Sequence, residues 1–222
     1  VFTACLIPTL QFEHTFWSRR LARVAGIDEA GRGAWAGPVV AGAVILPRAR
    51  RSATWWTQAA LRDLARARDS KLLSPAQRDA LYEPIRRAAL ACATGAATNE
   101  EIDALGIVPA TRLAMQRALH ALAIPPDALL IDALELPALT LPQHALIHGD
   151  QRSLSIACAS ILAKVTRDRL MVELDAQIPG YGFAQHKGYG TAAHQAALQT
   201  LGASRAHRAS FAPVREKTRE ES

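Results

Sequence analysis

The sequence predicts an α/β protein with a central mixed β-sheet flanked by helices. Three features predict it. Residues 38–46 (PVVAGAVIL) are apolar and rich in β-branched side chains, the pattern of a buried strand. Two further short apolar runs, residues 129–131 and 145–147, alternate with helical segments. Residues 153–176 carry apolar side chains at Ile156, Ile161, Leu162, Val165, Leu170 and Leu174, which predicts the longest helix.

The elements follow in order. Residues 21–28 read as a strand ending in Asp28 and Glu29, and the glycine-rich turn after it (Gly31, Gly33, Gly37) leads into the strand at 38–46. Pairing these two strands as a hairpin is the simplest topology. Residues 47–68 are arginine-rich around Trp55 and Trp56 and read as an exposed excursion with a short helix. Ser74-Pro75-Ala76-Gln77 is a helix start, with a cap, proline at the first position and Gln three residues after the cap; that helix is expected to run to about Ala91. Residues 93–98 read as a strand, Asn99 as the cap of a short helix ending near Gly106, and 109–122 as a helix stopped by Pro125 and Pro126. The strand at 129–131 delivers Asp132, and the one at 145–147 leads into His148, Gly149 and Asp150. A glycine- and aromatic-rich loop (180–190), a helix from Thr191 to about Leu201 and a basic tail complete the chain. The expected organisation is an N-terminal extension or first helix (1–20), a catalytic unit (21–178), a C-terminal loop and helix (179–214) and a charged tail (215–222).

Composition narrows the class. The 222 residues are 50% hydrophobic and 21% charged, so a full core forms without disulfide or metal staples. The cysteines Cys5, Cys92 and Cys158 are odd in number and form no CxxC, which points to a reduced, cytoplasmic protein. No apolar run is long enough to cross a membrane. Lys and Arg number 26 against 20 acids, a net charge of +6 that suggests a polyanionic partner.

The acids carry the chemistry. Asp28 with Glu29, Asp132 and Asp150 each follow a strand, and ligands in open α/β sheets sit at the carboxyl ends of strands. If those strands are neighbours, four carboxylates meet, and their repulsion calls for divalent cations. Oxygen-only ligands favour Mg²⁺ or Mn²⁺. An acid cluster in a basic protein is the arrangement expected of two-metal phosphodiester hydrolysis. Against this, aspartate at a strand end is a common turn residue, and adjacent Asp28 and Glu29 point to opposite faces if the strand runs through them.

These residues also carry a family. VAGIDEAGRGAWAGP (24–38), Asp69-Ser70-Lys71, Ile131-Asp132, GDQRSLSIACASILAKVTRD (149–168) and YGFAQHKGYGT (181–191) resemble, in order, the motifs of ribonuclease HII, the type 2 ribonuclease H. The resemblance implies a ribonuclease H-like fold with a small C-terminal helical part. It implies a monomeric endonuclease that cleaves the RNA strand of RNA–DNA hybrids and nicks 5′ of single ribonucleotides in duplex DNA, leaving 3′-hydroxyl and 5′-phosphate ends. The family's catalytic, metal-binding acids fall on Asp28, Glu29, Asp132 and Asp150, its GRG element on Gly31, Arg32 and Gly33, and its junction-sensing tyrosine on Tyr189.

Physical chemistry adds further candidates for substrate binding. The chain has 22 arginines and only four lysines, yet Lys71, Lys164 and Lys187 all lie inside these motifs, as though an ammonium rather than a guanidinium is required there. Ser70 flanks Lys71, and Ser160, Lys164 and Arg167 share a helical stripe expected to face the substrate or the acids. Ala133 stands where the family usually has glycine, so Asp132 is expected to be delivered without a positive φ at the next residue.

Overall fold

The structure is a computed structural model that describes residues 7–49 and 54–220; Cys5 lies outside them. Five strands form one mixed sheet: β1 (Val24–Ala30), β2 (Val39–Ile45), β3 (Ala91–Ala97), β4 (Ala128–Asp132) and β5 (Gln143–Leu146), in the order β3-β2-β1-β4-β5. β1 and β2 are the expected antiparallel hairpin, and β3 pairs antiparallel on β2. β1 pairs parallel with β4, and β4 with β5. The carboxyl ends of three adjacent strands therefore lie at one edge of the molecule.

The helices are α1 (Gln11–Trp17), α2 (Pro75–Ala88), α3 (Asn99–Leu105), α4 (Ile107–His120), α5 (Leu154–Gln177), α6 (Phe183–His186), α7 (Ala192–Leu201) and α8 (Ala212–Glu220). Ser74 and Gln77 form the expected reciprocal capping box on α2. Thr98, not Asn99, caps α3: its hydroxyl and Glu101 make the box, and Asn99 is already the first helical residue.

Strand alternation divides the core. Val24, Val44, Leu46, Ala128 and Leu130 pack towards α5, with α1 and α2 outside it. Ala25, Ile27, Ala43, Ile45, Leu129 and Ile131 pack with α4 on the other face. α5 crosses its face at close range because glycines lie beneath it. A Cβ on Gly26 would stand 2.2 Å from the carbonyl carbon of Ser155, and one on Gly42 would stand 2.3 Å from the carbonyl oxygen of Ala159. The N-terminal segment is tied to the same helix, since buried Glu13 accepts hydrogen bonds from the Ser153 hydroxyl (2.7 Å) and from the Ser155 amide (3.0 Å) and hydroxyl (2.6 Å). A third, smaller core of Ala36, Met171, Tyr181, Phe183 and Ala206 joins the loop after β1 to α5 and the C-terminal helices.

Two expectations, on the 47–68 excursion and on Ala133, are corrected. The described part of the 47–68 excursion is not simply exposed: Trp55 and Leu64 are 0% accessible and Leu61 is 1%, because the segment lays an apolar side on the α2–α5 core. The tail from Arg215 is helical as far as Glu220, within α8, and Val214 is buried. Ala133 adopts a left-handed backbone, φ 54°, because the chain turns sharply there: the Leu134 amide bonds back to the Asp132 carbonyl at 2.6 Å. No described helix is long and apolar enough to cross a membrane.

Candidate active site

The strand order brings the four acids within electrostatic range of one another. Pairing of Ile27 with Ile131 places Asp28 and Asp132 side by side on adjacent parallel strands, with backbones about 5 Å apart. Asp132 Oδ1 accepts a hydrogen bond from the Gly149 amide at 2.7 Å, which pins the short 3₁₀ turn Gly149–Gln151, and Asp150 with it, against the end of β4. β1 does continue through Asp28 and Glu29 to Ala30, so the two alternate in direction. The Glu29 carboxylate nonetheless stays within electrostatic range of both Asp28 and Asp132.

Burial raises the pKa of Asp28 well above the usual carboxylate range, and the charges of Glu29, Asp132 and Asp150 raise it further. Asp150 is raised to about 7, first by burial, then by Asp69 and Asp132, against the opposing charge of Lys71. Burial raises Glu29 too, while its ion pair with Arg32 (Oε1 to Nη1, 3.2 Å) pulls the other way. Glu29 Oε2 is buried without a hydrogen-bond partner. An orphaned carboxylate oxygen within a buried, mutually repelling, all-oxygen set fits a hard divalent cation. Among the described residues, no three acidic, histidine or cysteine side chains lie closely enough together to hold an ion.

Lys71 is exposed and faces the cluster. Burial alone would lower its pKa, but Asp150, Asp69, Asp28 and Asp132 together raise it. Asp69 is a fifth acid, overlooked as a site residue although it opens the Asp69-Ser70-Lys71 run. It is buried, caps its own turn by accepting from the Lys71 amide (2.9 Å), and accepts from Gln151 Nε2 at 3.2 Å beside Asp150.

The GRG loop is built by two buried arginines. Arg208 donates to the carbonyls of Gly31 (2.8 Å), Arg32 (2.9 Å) and Gly37 (3.0 and 2.9 Å). Arg167 donates to those of Pro38 (2.9 Å), Ala36 (3.2 Å) and Lys187 (2.9 Å). Arg167 is thus placed inside, not towards a substrate, because the loop folds over that side of α5. Gly31 has φ 96°, and a Cβ there would stand 1.9 Å from Arg167 Nε, so only glycine fits. Gly33 is different: a Cβ would meet nothing within 4 Å, and the main chain there faces open space.

The remaining candidates divide. Ser160 and Ser70 are buried on each other, the Ser160 hydroxyl donating to Ser70 Oγ at 2.7 Å, so both position the Lys71 turn. Lys164 is bound to Asp168 at 2.6 Å, and the Lys187 ammonium turns back onto the Ala184 carbonyl. Tyr189 is half-buried, its ring flanked by the guanidinium of Arg167 (5.3 Å from the ring centre) and the ammonium of Lys164 (5.7 Å). Its loop is held to the GRG loop by the Trp35 amide, which donates to the Gly188 carbonyl at 2.7 Å. It is held from behind by fully buried His194, whose Nδ1 lies 3.0 Å from the Tyr189 carbonyl oxygen and whose Nε2 lies 3.1 Å from His207 Nε2. Nothing in the local sequence pattern distinguished Arg208 or His207 as supports for these loops. A cleft of about 640 Å³ opens beside Tyr189, lined by Arg78, Lys164, Asp168, Arg169 and Lys187; the four acids lie outside it.

The chain matches the family described as Ribonuclease HII over residues 25–214. It is 54% identical over 209 residues to a ribonuclease HII of Chloroflexus aurantiacus, covering 94% of this chain and 95% of the relative. Its fold superposes on the crystal structure of ribonuclease H2 from Pyrococcus horikoshii with a TM-score of 0.72 at 25% identity, covering 89% of this chain and 98% of that one. Bst-RNase HIII, solved in complex with Mn²⁺, shares the fold at 18% identity and a TM-score of 0.62, over 90% of this chain and 70% of its own. By its matched profile and by half its residues shared along nearly its whole length, the chain belongs to the ribonuclease HII family.

Proposed function

We propose that this protein is a divalent-metal-dependent endonuclease that hydrolyses the RNA strand of RNA–DNA hybrids and nicks 5′ of single ribonucleotides in duplex DNA, leaving 3′-hydroxyl and 5′-phosphate ends. Asp28 beside Asp132 on adjacent parallel strands, with the Asp150 turn hydrogen-bonded to Asp132, is the observation that carries this reading. Asp28, Glu29, Asp132 and Asp150 would hold Mn²⁺ or Mg²⁺; a Mn²⁺ complex is known for the distant type 3 relative. Bound there, such ions lower the pKa of an attacking water and offset charge on the leaving oxygen.

The chain's own residues do the rest. Lys71, whose ammonium faces the acids, is placed to contact a phosphate oxygen at the scissile bond. Gly33, with open space before its main chain, lets backbone groups approach a ribose 2′-hydroxyl, the group that separates RNA from DNA. Tyr189 offers a ring to the neighbouring deoxyribose, which lacks that hydroxyl. Arg167 and Arg208 hold the 2′-hydroxyl reader and the tyrosine at a fixed separation, so junction recognition is preorganised. The protein is read as a cytoplasmic monomer that removes ribonucleotides from DNA.

The test is a labelled duplex containing one ribonucleotide, incubated with Mg²⁺, with Mn²⁺ or with EDTA. Nicking 5′ of the ribonucleotide that needs the metal supports the reading. Tight binding without cleavage would instead identify a hybrid-binding module.

A further inference from the structure

A second cleft, of about 600 Å³, lies between α2 and the 3₁₀ segment Ala59–Leu64. Its rim carries Arg62, Arg66, Arg68 and Arg87 against a single acid, Asp63. That leaves three positive charges in one concavity of a chain whose total is +6. Its floor is apolar, formed by Leu73 and Leu81. Arg62, Arg66 and Arg87 are exposed and make no ion pair or side-chain hydrogen bond with any described residue. The segment that presents Arg62 and Arg66 is fixed, because Trp55, Leu61 and Leu64 anchor it in the core.

Position then selects the ligand. The cleft follows one stripe of α2 from Ala76 to Arg87. The fourteen residues of α2 span about 21 Å, the rise of about six base pairs. At the near end, Arg68 is three residues from Lys71, hence within about 10 Å of it along the chain, and Lys71 faces the acid site. A duplex engaged at the acids must continue across neighbouring surface with closely spaced phosphates. Guanidinium groups over an apolar floor bind phosphate more strongly than they would in open water.

We propose that this arginine-lined cleft along α2 is a binding site for the phosphodiester backbone of the substrate duplex outside the cleavage point. The proposal rests on the nuclease reading but fails separately from it. Two duplexes with one ribonucleotide each, of about 12 and about 30 base pairs, are bound in EDTA over a range of salt and then cleaved with Mg²⁺. For Arg62→Gln/Arg66→Gln/Arg87→Gln, affinity for the long duplex is expected to fall about tenfold or more, its advantage over the short one to vanish, and the slope of log affinity against log salt to become shallower by about two to three. The matching Lys variants restore the slope, and Arg19→Gln/Arg20→Gln, which removes charge at the end of α1, leaves the length advantage in place.

An unchanged length advantage in the Gln variant would overturn the proposal, as would an equal loss in the α1 control. A loss seen only with a polyglutamate probe would overturn it in favour of an acidic protein partner. Wild-type protein that binds with this arginine-dependent slope but never cuts would leave the cleft standing and sink the catalytic reading.

Discussion

Asp132 Oδ1 accepts a hydrogen bond from the Gly149 amide at 2.7 Å, and this contact turns two separate strand ends into one site. It locks the turn bearing Asp150 beside β4, while the β1–β4 register supplies Asp28. The assembly is electrostatically unfavourable by itself, and its function and its instability share a cause.

Neutralising one acid should therefore stabilise the metal-free protein. Asp150 has a folded pKa raised to about 7, above an unfolded value near 3.9. Such a group favours folding of the protonated form. Relative to low pH, stability declines as pH rises from about 4 to about 7, and the full penalty applies above that. Asp150→Asn should raise the unfolding free energy obtained from urea titration at about pH 8 in EDTA by roughly 1–2 kcal/mol, and with it the urea midpoint, while abolishing cleavage. A lower midpoint than wild type would count against the mutual repulsion.

Ala133 gives a second stability test. Its φ of 54° is a conformation that disfavours any side chain, and its strain is of order 1 kcal/mol. Ala133→Gly should raise the melting temperature by a few degrees without loss of nicking. No change in melting would mean that the turn after Asp132 relaxes in solution.

Much of this was legible in the residues. The apolar run at 38–46 and the Ser74–Gln77 box mark a strand and a helix start by local chemistry alone, and Asp28, Glu29, Asp132 and Asp150 stand at or just after strand ends. Side choice was less readable. Ser160, Lys164 and Arg167 share a stripe, but spacing along a helix does not say which loop folds over it, and Arg167 proved to be buried under the GRG loop. Arginine-rich composition concealed the apolar side of 55–64, which only packing on α2 reveals. Asp69 acts through Asp150, 81 residues away, and pairing at that separation leaves no mark on neighbouring sequence.

The tyrosine loop predicts a selective loss. Tyr189→Ala should slow nicking at a single ribonucleotide about tenfold or more, from loss of ring packing worth about 1–2 kcal/mol, with melting almost unchanged because the side chain is half-exposed. Initial rates on one-ribonucleotide duplexes, with thermal melts in parallel, make the comparison. Equal rates would remove the ring from junction recognition.

Behind that loop, His207 is held to a pKa of about 4 by burial and then by repulsion from His194. Its folded pKa lies below the unfolded value of about 6.5. The stability associated with it is fully present above about pH 6.5 and is lost as pH falls towards 4, by up to about 3 kcal/mol. Urea unfolding at about pH 7 and about pH 5 should show that fall, and His207→Gln should flatten it. A pH dependence identical in the variant would place the titration elsewhere.

The most direct test of the central claim is calorimetric titration of Mn²⁺ into wild-type protein and into Asp28→Asn and Asp132→Asn, beside the cleavage rates of all three. The account predicts that each substitution weakens Mn²⁺ binding by tenfold or more, lowers cleavage at least a hundredfold, about 2.7 kcal/mol, and leaves the fold intact. Wild-type Mn²⁺ affinity in either variant, or a tenth of the normal rate retained, would contradict it.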